Sequence, residues 1–300
     1  MFHKNDKRLF YDPLLTDEDI ELLRECRLCP RECGVNRFEQ AGVCRAKADV
    51  FVSSANLHFG EEPPISGYSG SGTIFLTHCN LRCVYCQNYP ISQLGIGNRR
   101  TIRQLVDIML NLQSKGAHNI NFVTPSHYVV QIRRAIIVAR ERGLRIPIVY
   151  NTSGYDSLAA LELLKGLVEI YMPDLRYFDS EPAKIYSGAA DYPEVARKAV
   201  KEMHNQVGDL IVGDDGVAIR GILIRLLVLP NGISDTEKTL RWIAENLGTN
   251  VYLSVMSQYF PAHRAGEFPE LKRRIKREEY MRVLEVVDEL GFQRGYIQPI

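Results

Sequence analysis

The chain has 300 residues, 45% of them hydrophobic and 24% charged, and its formal net charge is +1. This composition is typical of a globular protein with a full core, and it excludes an intrinsically disordered chain. A near-neutral charge argues against a broad nucleic-acid-binding surface, so we expect a small-molecule or protein substrate and no nucleic-acid partner.

The N-terminal segment, residues 1–65, differs from the rest of the chain. Its first 11 residues lack the apolar run of a signal peptide, and no later run is long enough to span a membrane, which predicts a cytoplasmic protein without a membrane partner. A short acidic helix is predicted at Thr16–Glu25, with Thr16 as its N-cap. We expect residues 1–65 to form a small metal-binding segment and residues 66–300 to form a barrel domain.

Four cysteines of this segment, Cys26, Cys29, Cys33 and Cys44, stand at metal-ligand spacing. All seven cysteines of the chain lie between Cys26 and Cys86, and an odd, clustered set in a reducing cytoplasm indicates metal binding rather than disulfides. Four thiolates suit structural zinc and a complete [4Fe–4S] cluster equally well. The spacing therefore predicts a metal site and leaves the metal open, with buried uncoordinated thiols as the alternative.

From Gly72 onward, short β-branched or apolar runs alternate with amphipathic runs at helical spacing. The predicted strands are Thr73–Thr77, Asn119–Thr124, Ile146–Asn151, Val168–Pro173, Ile222–Leu229 and Val251–Met256. A helix is predicted between each pair of strands, and a last helix from about Glu278 to Leu290 closes the series. The alternation predicts an α/β fold, a partial (β/α)6 barrel that is an open relative of the TIM barrel.

A second group of cysteines, Cys79, Cys83 and Cys86, follows the first predicted barrel strand. This C-x-x-x-C-x-x-C loop is thereby placed at the carboxyl end of the strand, where βα barrels carry their chemistry. Three thiolates can hold three irons of a [4Fe–4S] cubane and leave the fourth iron open, whereas structural zinc or a structural cluster normally takes four ligands. A zinc loop with His78 as the fourth ligand is the alternative.

One charged residue, Arg225, interrupts an otherwise apolar predicted strand. A buried charge needs a partner, so we expect Arg225 to point into the barrel towards carboxylates. Those carboxylates would come from Glu61 and Glu62 or from a substrate.

Several segments of the chain together carry a family pattern. They are Cys26–Cys33, His58–Gly67, Cys79–Asn88, Thr124–Tyr128, Tyr171–Tyr177 and Met256–Tyr259. In these segments the chain resembles the radical S-adenosylmethionine (SAM) superfamily, and within it the PflX-like branch of the proteins related to pyruvate formate-lyase activating enzyme. The resemblance implies an oxidoreductase in which the open iron of the Cys79, Cys83 and Cys86 cluster binds SAM. Reductive cleavage of SAM would then give a 5′-deoxyadenosyl radical that abstracts hydrogen.

The resemblance also implies which residues contact SAM across the carboxyl ends of the strands. They are Tyr85, Thr124, Ser126, Asn151, Ser153, Asp174, Arg176 and Gln258. Tyr85 is expected to pack against adenine, Thr124 and Ser126 to accept from the amino group, and Arg176 to pair with the carboxylate.

Three of these places depart from the activating enzymes. Residues 123–127 stand in the place of a Gly-Gly-Glu motif, residues 151–154 in that of an Asp-Thr-Asn-Gly motif and residues 174–176 in that of an Asp-Leu-Lys motif. Hydrogen-bonding groups and a cation are kept, while carboxylates are lost. We still expect the chain to bind SAM. Because of these departures, glycyl-radical activation is only one of several reactions that the chain could catalyse.

The partners follow from what the sequence lacks. No G-x-G-x-x-G motif follows a strand, so an external one-electron donor such as flavodoxin or ferredoxin is expected. The substrate is a glycyl-radical enzyme or, alternatively, another peptide or a small molecule. The non-enzyme alternative is an interaction module with two zinc sites.

Overall fold

The computed structural model describes residues 11–300, so most of the predicted leader-free N-terminus lies outside the described residues. The strands are β1 (Val50–His58), β2 (Ser71–Leu76), β3 (Asn98–Arg100), β4 (Ile120–Val123), β5 (Ile148–Thr152), β6 (Ile170–Pro173), β7 (Ile211–Val212), β8 (Ala218–Leu227), β9 (Tyr252–Met256) and β10 (Gly295–Ile297). The helices are α1 (Asp17–Arg24), α2 (Pro63–Ser66), α3 (Tyr89–Ser92), α4 (Ile102–Ser114), α5 (Val129–Glu141), α6 (Leu158–Leu164), α7 (Ser180–Ser187), α8 (Tyr192–Val207), α9 (Thr236–Leu247) and α10 (Arg277–Glu289).

The central sheet is parallel, in the order β2, β4, β5, β6, β8 and β9. These strands correspond to the six predicted ones, and β10 adds a further parallel strand beside β9. β4, β5 and β6 are almost entirely buried, because side chains of the barrel interior cover one face and helices cover the other. The predicted α/β class and partial barrel are confirmed.

The helices between the strands pack their apolar faces on the sheet. In α4, the buried residues Leu105, Met109 and Leu112 recur at helical spacing. The start of α4 is fixed by Thr101, whose hydroxyl oxygen accepts from the Gln104 amide at 3.2 Å. Among residues 11–300, no helix combines the length and the apolar character needed to cross a membrane.

The cysteine-rich N-terminal segment is continuous with this architecture. The predicted acidic helix is present as α1, and Thr16 caps it by accepting from the Asp19 amide at 3.2 Å. β1 then pairs antiparallel with β2, and β3 pairs with the other edge of β1. The segment therefore extends the same sheet that carries the three-cysteine loop.

Candidate functional site

The loop after β2 places Cys79, Cys83 and Cys86 at the carboxyl end of the barrel. Cys79 and Cys83 are buried, and Cys86 is half-buried. Burial, and after it the neighbouring Cys83 and Cys86 thiols, raises the pKa of Cys79 to about 12. The three thiols thus lie within electrostatic reach of one another, as the spacing predicts.

The sulfur of Cys83 accepts two hydrogen bonds. Arg176 Nη1 donates to it at 3.2 Å, and Ser187 Oγ donates at 3.0 Å. Arg176 Nη2 also pairs with Asp174 Oδ2 at 2.7 Å, which fixes the guanidinium in place. Two donors, one of them cationic, match a sulfur that carries negative charge.

A cavity of about 540 Å³ opens at the carboxyl ends of the barrel strands. Its wall includes several of the predicted site residues, namely Tyr85, Cys86, Asn151, Asp174, Arg176 and Gln258. It also includes His58, Glu61, Glu62, Arg225 and Ser254. A cavity of this size holds a cofactor-sized molecule, and the three-cysteine loop opens directly onto it.

Arg225 points into the barrel, as predicted. Its Nε donates to Asp174 Oδ1 and its Nη2 to Asn151 Oδ1, both at 2.8 Å, and its Nη1 lies 3.5 Å from Glu61 Oε2. Burial alone would raise the pKa of Asp174, but Arg225 and Arg176 hold it below its usual range. A continuous series of one hydrogen bond and three ion pairs therefore runs from Cys83 through Arg176, Asp174 and Arg225 to Glu61.

The turn after β5 brings Asn151 and Asp174 together at this edge. Gly154 has a φ of 76°, and a Cβ added to it would lie 2.5 Å from the Asp174 carbonyl oxygen. A glycine is therefore required where the two strand ends approach most closely.

Three predicted SAM contacts stand outside the described cavity wall. Ser126 Oγ is buried 3.2 Å from Thr152 Oγ1, and Ser153 Oγ accepts from the Tyr155 amide at 3.4 Å. Thr124 has a φ of 60°, which is rare for a β-branched residue and gives the loop after β4 a fixed, strained shape. The role of these side chains towards SAM stays a prediction.

Tyr85 and Gln258 both line the cavity, and each is held by a different set of neighbours. The Tyr85 ring packs edge-on against Tyr177 and Tyr259, and its hydroxyl accepts from Tyr177 at 2.6 Å. Gln258 Oε1 accepts from Gln298 Nε2 at 3.2 Å, which joins the loop after β9 to the loop after β10. The contacts of Tyr85 with Tyr177 and Tyr259 hold its ring in one orientation.

The four-cysteine group also assembles. A Cβ added to Gly42 would lie 3.0 Å from Cys33 Sγ and 3.6 Å from Cys44 Sγ, so the two sulfurs flank this glycine. Burial, and to a smaller extent the Cys44 and Cys26 thiols, raises the pKa of Cys29 to about 12. The four predicted ligands therefore share one neighbourhood in the fold.

A fully buried cation, Arg37, lies beside this group. Its Nη1 is 3.7 Å from Cys26 Sγ and donates to the His127 carbonyl at 2.8 Å, while its Nε donates to the Lys47 carbonyl at 3.2 Å. Among residues 11–300 it has no carboxylate within ion-pair distance. Burial would lower the pKa of Arg37, but the Cys44 and Cys26 thiols raise it. These cysteines are thus the nearest groups that can balance the buried charge.

The family follows from comparison with known proteins. The family model described as the radical SAM superfamily matches residues 73–243, more than half of the chain. The chain belongs to the radical SAM superfamily. Its matched region begins within β2 and includes the three-cysteine loop, and the cofactors of this superfamily are a [4Fe–4S] cluster and SAM.

Two curated proteins of Methanocaldococcus jannaschii are similar to this radical SAM protein along most of its length. The uncharacterized protein MJ0674 is 30% identical over 303 residues, which cover 96% of this chain and 82% of the relative. The uncharacterized protein MJ0808 is 23% identical, over 68% of this chain and 67% of the relative.

Solved structures share the fold. SuiB of Streptococcus suis, crystallised with S-adenosylmethionine, matches with a TM-score of 0.52 and 15% identity over 74% of this chain and 48% of SuiB. HydG, a maturase of the [FeFe]-hydrogenase, matches with a TM-score of 0.52 and 12% identity over 75% of this chain and 50% of HydG. The chain spans about half the length of these structures, and the likeness supports the radical SAM barrel.

The residues present fit the superfamily's cluster. Of the three thiols of this loop, that of Cys86 lines the cavity, and the buried Cys83 already receives a cationic hydrogen-bond donor. Within residues 11–300, no three His, Cys, Asp or Glu side chains are grouped to hold a single metal ion. A cubane offers a separate iron to each thiolate, so the donor set is of the kind that a cluster requires.

Sequence reasoning missed several residues around the radical SAM site. Asn121 and Ser254 are polar residues inside apolar strands, a signal that could have placed them in the barrel interior. Ser187 carries no such signal, because it reaches Cys83 from 104 residues away. Arg37 carries none either, because it lies outside the helices and strands, where a charged residue is ordinary.

Proposed function

We propose that this radical SAM protein is an enzyme whose cluster, held by Cys79, Cys83 and Cys86, cleaves SAM reductively to a 5′-deoxyadenosyl radical that abstracts hydrogen from a substrate. The observation that carries the proposal is the shared cavity, which Cys86, Asp174 and Arg176 line together. Cofactor and substrate would react in one enclosed space at the mouth of the barrel.

Residues of the cavity wall would bind and orient SAM. Arg176 lies between Cys83 and the cavity, and its Nε has no hydrogen-bond partner among the described residues, so it is the cation for the SAM carboxylate. Asp174 holds that guanidinium in position. Tyr85 offers a rigid aromatic surface for adenine, and Gln258 a polar contact at the rim.

The loop residues Thr124, Ser126, Asn151 and Ser153 would complete SAM binding. The Asn151 amide is already oriented, because its Oδ1 accepts from Arg225 at 2.8 Å. Ser126 and Ser153 would require a shift of their loops to reach the cavity, since both are buried away from its described wall.

We further place the protein in the PflX-like branch related to pyruvate formate-lyase activating enzyme, on the motifs around Cys26, His58 and Cys79. The departures at residues 123–127 and 151–154 favour a peptide or small-molecule substrate over a glycyl-radical enzyme. A flavodoxin or ferredoxin would supply the electron.

We also propose that Cys26, Cys29, Cys33 and Cys44 hold a second metal centre. The supporting observation is Arg37, because a fully buried guanidinium without a carboxylate needs negative charge nearby and four metal-bound thiolates supply it. Zinc and an auxiliary [4Fe–4S] cluster both supply a site for this charge, but zinc would require the four sulfurs to move closer together, since no three such ligands among residues 11–300 are grouped around a single ion.

Anaerobic reconstitution tests the proposed function. The wild-type protein is expected to show the brown [4Fe–4S] chromophore and to form 5′-deoxyadenosine from SAM under dithionite. The Cys83→Ala variant is expected to lose deoxyadenosine formation. Iron, sulfide and zinc analysis of the same samples decides between one cluster, two clusters, and one cluster with zinc.

The Cys29→Ala variant is the matched control, because it removes a thiol of the other group. It should cleave SAM if the N-terminal metal is only structural. Wild-type protein that contains zinc alone and forms no deoxyadenosine would refute the enzyme and support the two-site zinc module.

A further inference from the structure

The series of polar contacts that begins at Cys83 and passes through Arg225 ends at the carboxylates of Glu61 and Glu62. Glu61 and Glu62 enter the barrel from the turn between β1 and α2, and both line the cavity. Ser254, on β9, lines it as well and is paired in register with Arg225 of β8. We call Glu61, Glu62 and Ser254 the acidic pocket.

The carboxylate of Glu62 has no adequate counter-charge. It is 6% exposed, and its Oε2 has no hydrogen-bond partner among the described residues. Its ion pair with Arg225 Nη1 is long, at 4.0 Å. Arg225 already pairs with Asp174 at 2.8 Å and is 3.5 Å from Glu61. A buried carboxylate in this position is costly unless a cation joins it.

Two further buried atoms near Glu61 and Arg225 also lack a partner, and both can accept a hydrogen bond. Asn121 Oδ1 is buried without a partner, and the Nδ2 of the same amide donates to Glu61 Oε1 at 3.0 Å. Ser254 Oγ is also buried without a partner among residues 11–300. The Glu62 carboxylate oxygen and the Asn121 amide oxygen can only accept a hydrogen bond, and the Ser254 hydroxyl can also accept one. A ligand that satisfies these atoms must therefore be a hydrogen-bond donor.

Anionic groups do not fit this place. The guanidinium of Arg225 would be the natural partner for a substrate carboxylate, but its Nε and Nη2 donate to Asp174 and Asn151. Arg176 is likewise engaged by Asp174 and Cys83, and its remaining unpartnered donor, Nε, is assigned above to the SAM carboxylate. Around the acidic pocket, unpartnered hydrogen-bond acceptors therefore remain.

We propose that the acidic pocket binds a primary ammonium or guanidinium group of the substrate, so that the enzyme acts on an amine-bearing molecule or side chain. The inference rests on the proposed function, since it names the substrate class for the same cavity. Glu62 supplies the charge, and Ser254 supplies a further acceptor.

Direct binding of simple probes tests this inference without any turnover. Cadaverine, agmatine, glutarate and pentanediol are titrated by calorimetry into the full-length, anaerobically reconstituted protein saturated with SAM. The two amines are expected to bind, and the dianion and the neutral diol are not. Glu62→Gln, which keeps the side-chain volume, is expected to weaken amine binding at least about tenfold.

Two further variants control for structural damage. Glu141→Gln removes an exposed carboxylate at the end of α5, outside the described cavity wall, and should bind the amines like the wild type. Ser254→Ala removes an acceptor without touching a charge and should weaken binding by a smaller factor than Glu62→Gln.

Several outcomes would overturn the inference. Preferential binding of glutarate, or amine binding that neither Glu62→Gln nor Ser254→Ala changes, would do so. Direct competition between SAM and cadaverine would assign the pocket to the amino group of SAM instead. Deoxyadenosine formation without amine binding would refute this inference alone, whereas amine binding without deoxyadenosine would refute the proposed function alone.

Discussion

Arg176 donates a hydrogen bond of 3.2 Å from Nη1 to the sulfur of Cys83. Ser187 gives the same sulfur a second donor at 3.0 Å. Hydrogen bonds to a ligating sulfur stabilise the more negative, reduced state of an iron–sulfur cluster and raise its reduction potential. The structure thus indicates how the chain would set the potential at which SAM is cleaved.

We expect Ser187→Ala to lower the reduction potential of the cluster by about 40 mV, which corresponds to roughly 1 kcal/mol for a one-electron couple. The cause is the loss of one neutral hydrogen bond to Cys83. A redox titration followed by electron paramagnetic resonance measures the shift. Ser180→Ala, at the exposed start of the same helix α7, is the control and should leave the potential unchanged. Equal potentials for both variants would contradict the assigned role of Ser187.

Arg37→Met is expected to destabilise the protein by about 3–5 kcal/mol and to lower metal retention, because the charge on the N-terminal thiolates loses its buried partner. Denaturant unfolding and metal analysis measure the two effects. Arg103→Met, on the exposed side of α4, is the control. Even with neutral, metal-free thiols, Arg37→Met would leave the His127 and Lys47 carbonyls without their donor and lower stability. Metal retention is therefore the deciding measurement, and an unchanged metal content would count against the second centre.

Arg225→Met is expected to lower the free energy of unfolding by about 3–5 kcal/mol, because Asp174 and Glu61 lose their shared cation inside the barrel. The matched control is Arg241→Met, which breaks an exposed pair with Glu289 of 2.9 Å and should have little effect. Urea unfolding of both variants measures the difference. Similar stabilities would mean that the interior network is screened by water.

The pKa of Glu61 gives a pH dependence with a definite sign. Burial first, and Glu62 in addition, raises this pKa from 4.5, its usual value, to about 7 against the attraction of Arg225. The folded state keeps a proton that the unfolded chain releases, so the stability from this group is complete below about pH 4.5 and is lost as the pH rises through about 7.

Glu61→Gln is therefore expected to flatten the decline in stability over this interval, because the amide does not titrate. Unfolding free energies measured at a series of pH values on both sides of the interval test it, with Glu141→Gln as the control. Parallel curves for the wild type and Glu61→Gln across the same interval would show that Glu61 is ionised throughout.

Local patterns predicted the framework of the site well. The barrel strands β2, β4, β5, β6, β8 and β9 were predictable because buried parallel strands are apolar runs. The position of Cys79 after β2 then placed the loop at the functional edge. The inward orientation of Arg225 was predictable as well, because a charged side chain in a buried apolar strand needs a partner of opposite charge.

Contacts between distant elements could not be predicted in this way. Ser187 reaches Cys83 from 104 residues away, and Arg37 reaches His127 from 90 residues away. β1 and α7 were missed because their burial is mixed and their apolar residues do not repeat regularly. Such pairings depend on the folded chain path, which hydrophobic periodicity does not encode.

The pairing of β1 with β2 means that the N-terminal segment covers one edge of the barrel sheet. Without β1, the buried, apolar strand β2 would present an unpaired row of amide and carbonyl groups to other molecules. Open edges of this kind recruit strands from neighbouring chains and lead to aggregation. An excised barrel beginning near residue 66 is therefore expected to self-associate, however well its cysteine loop is preserved.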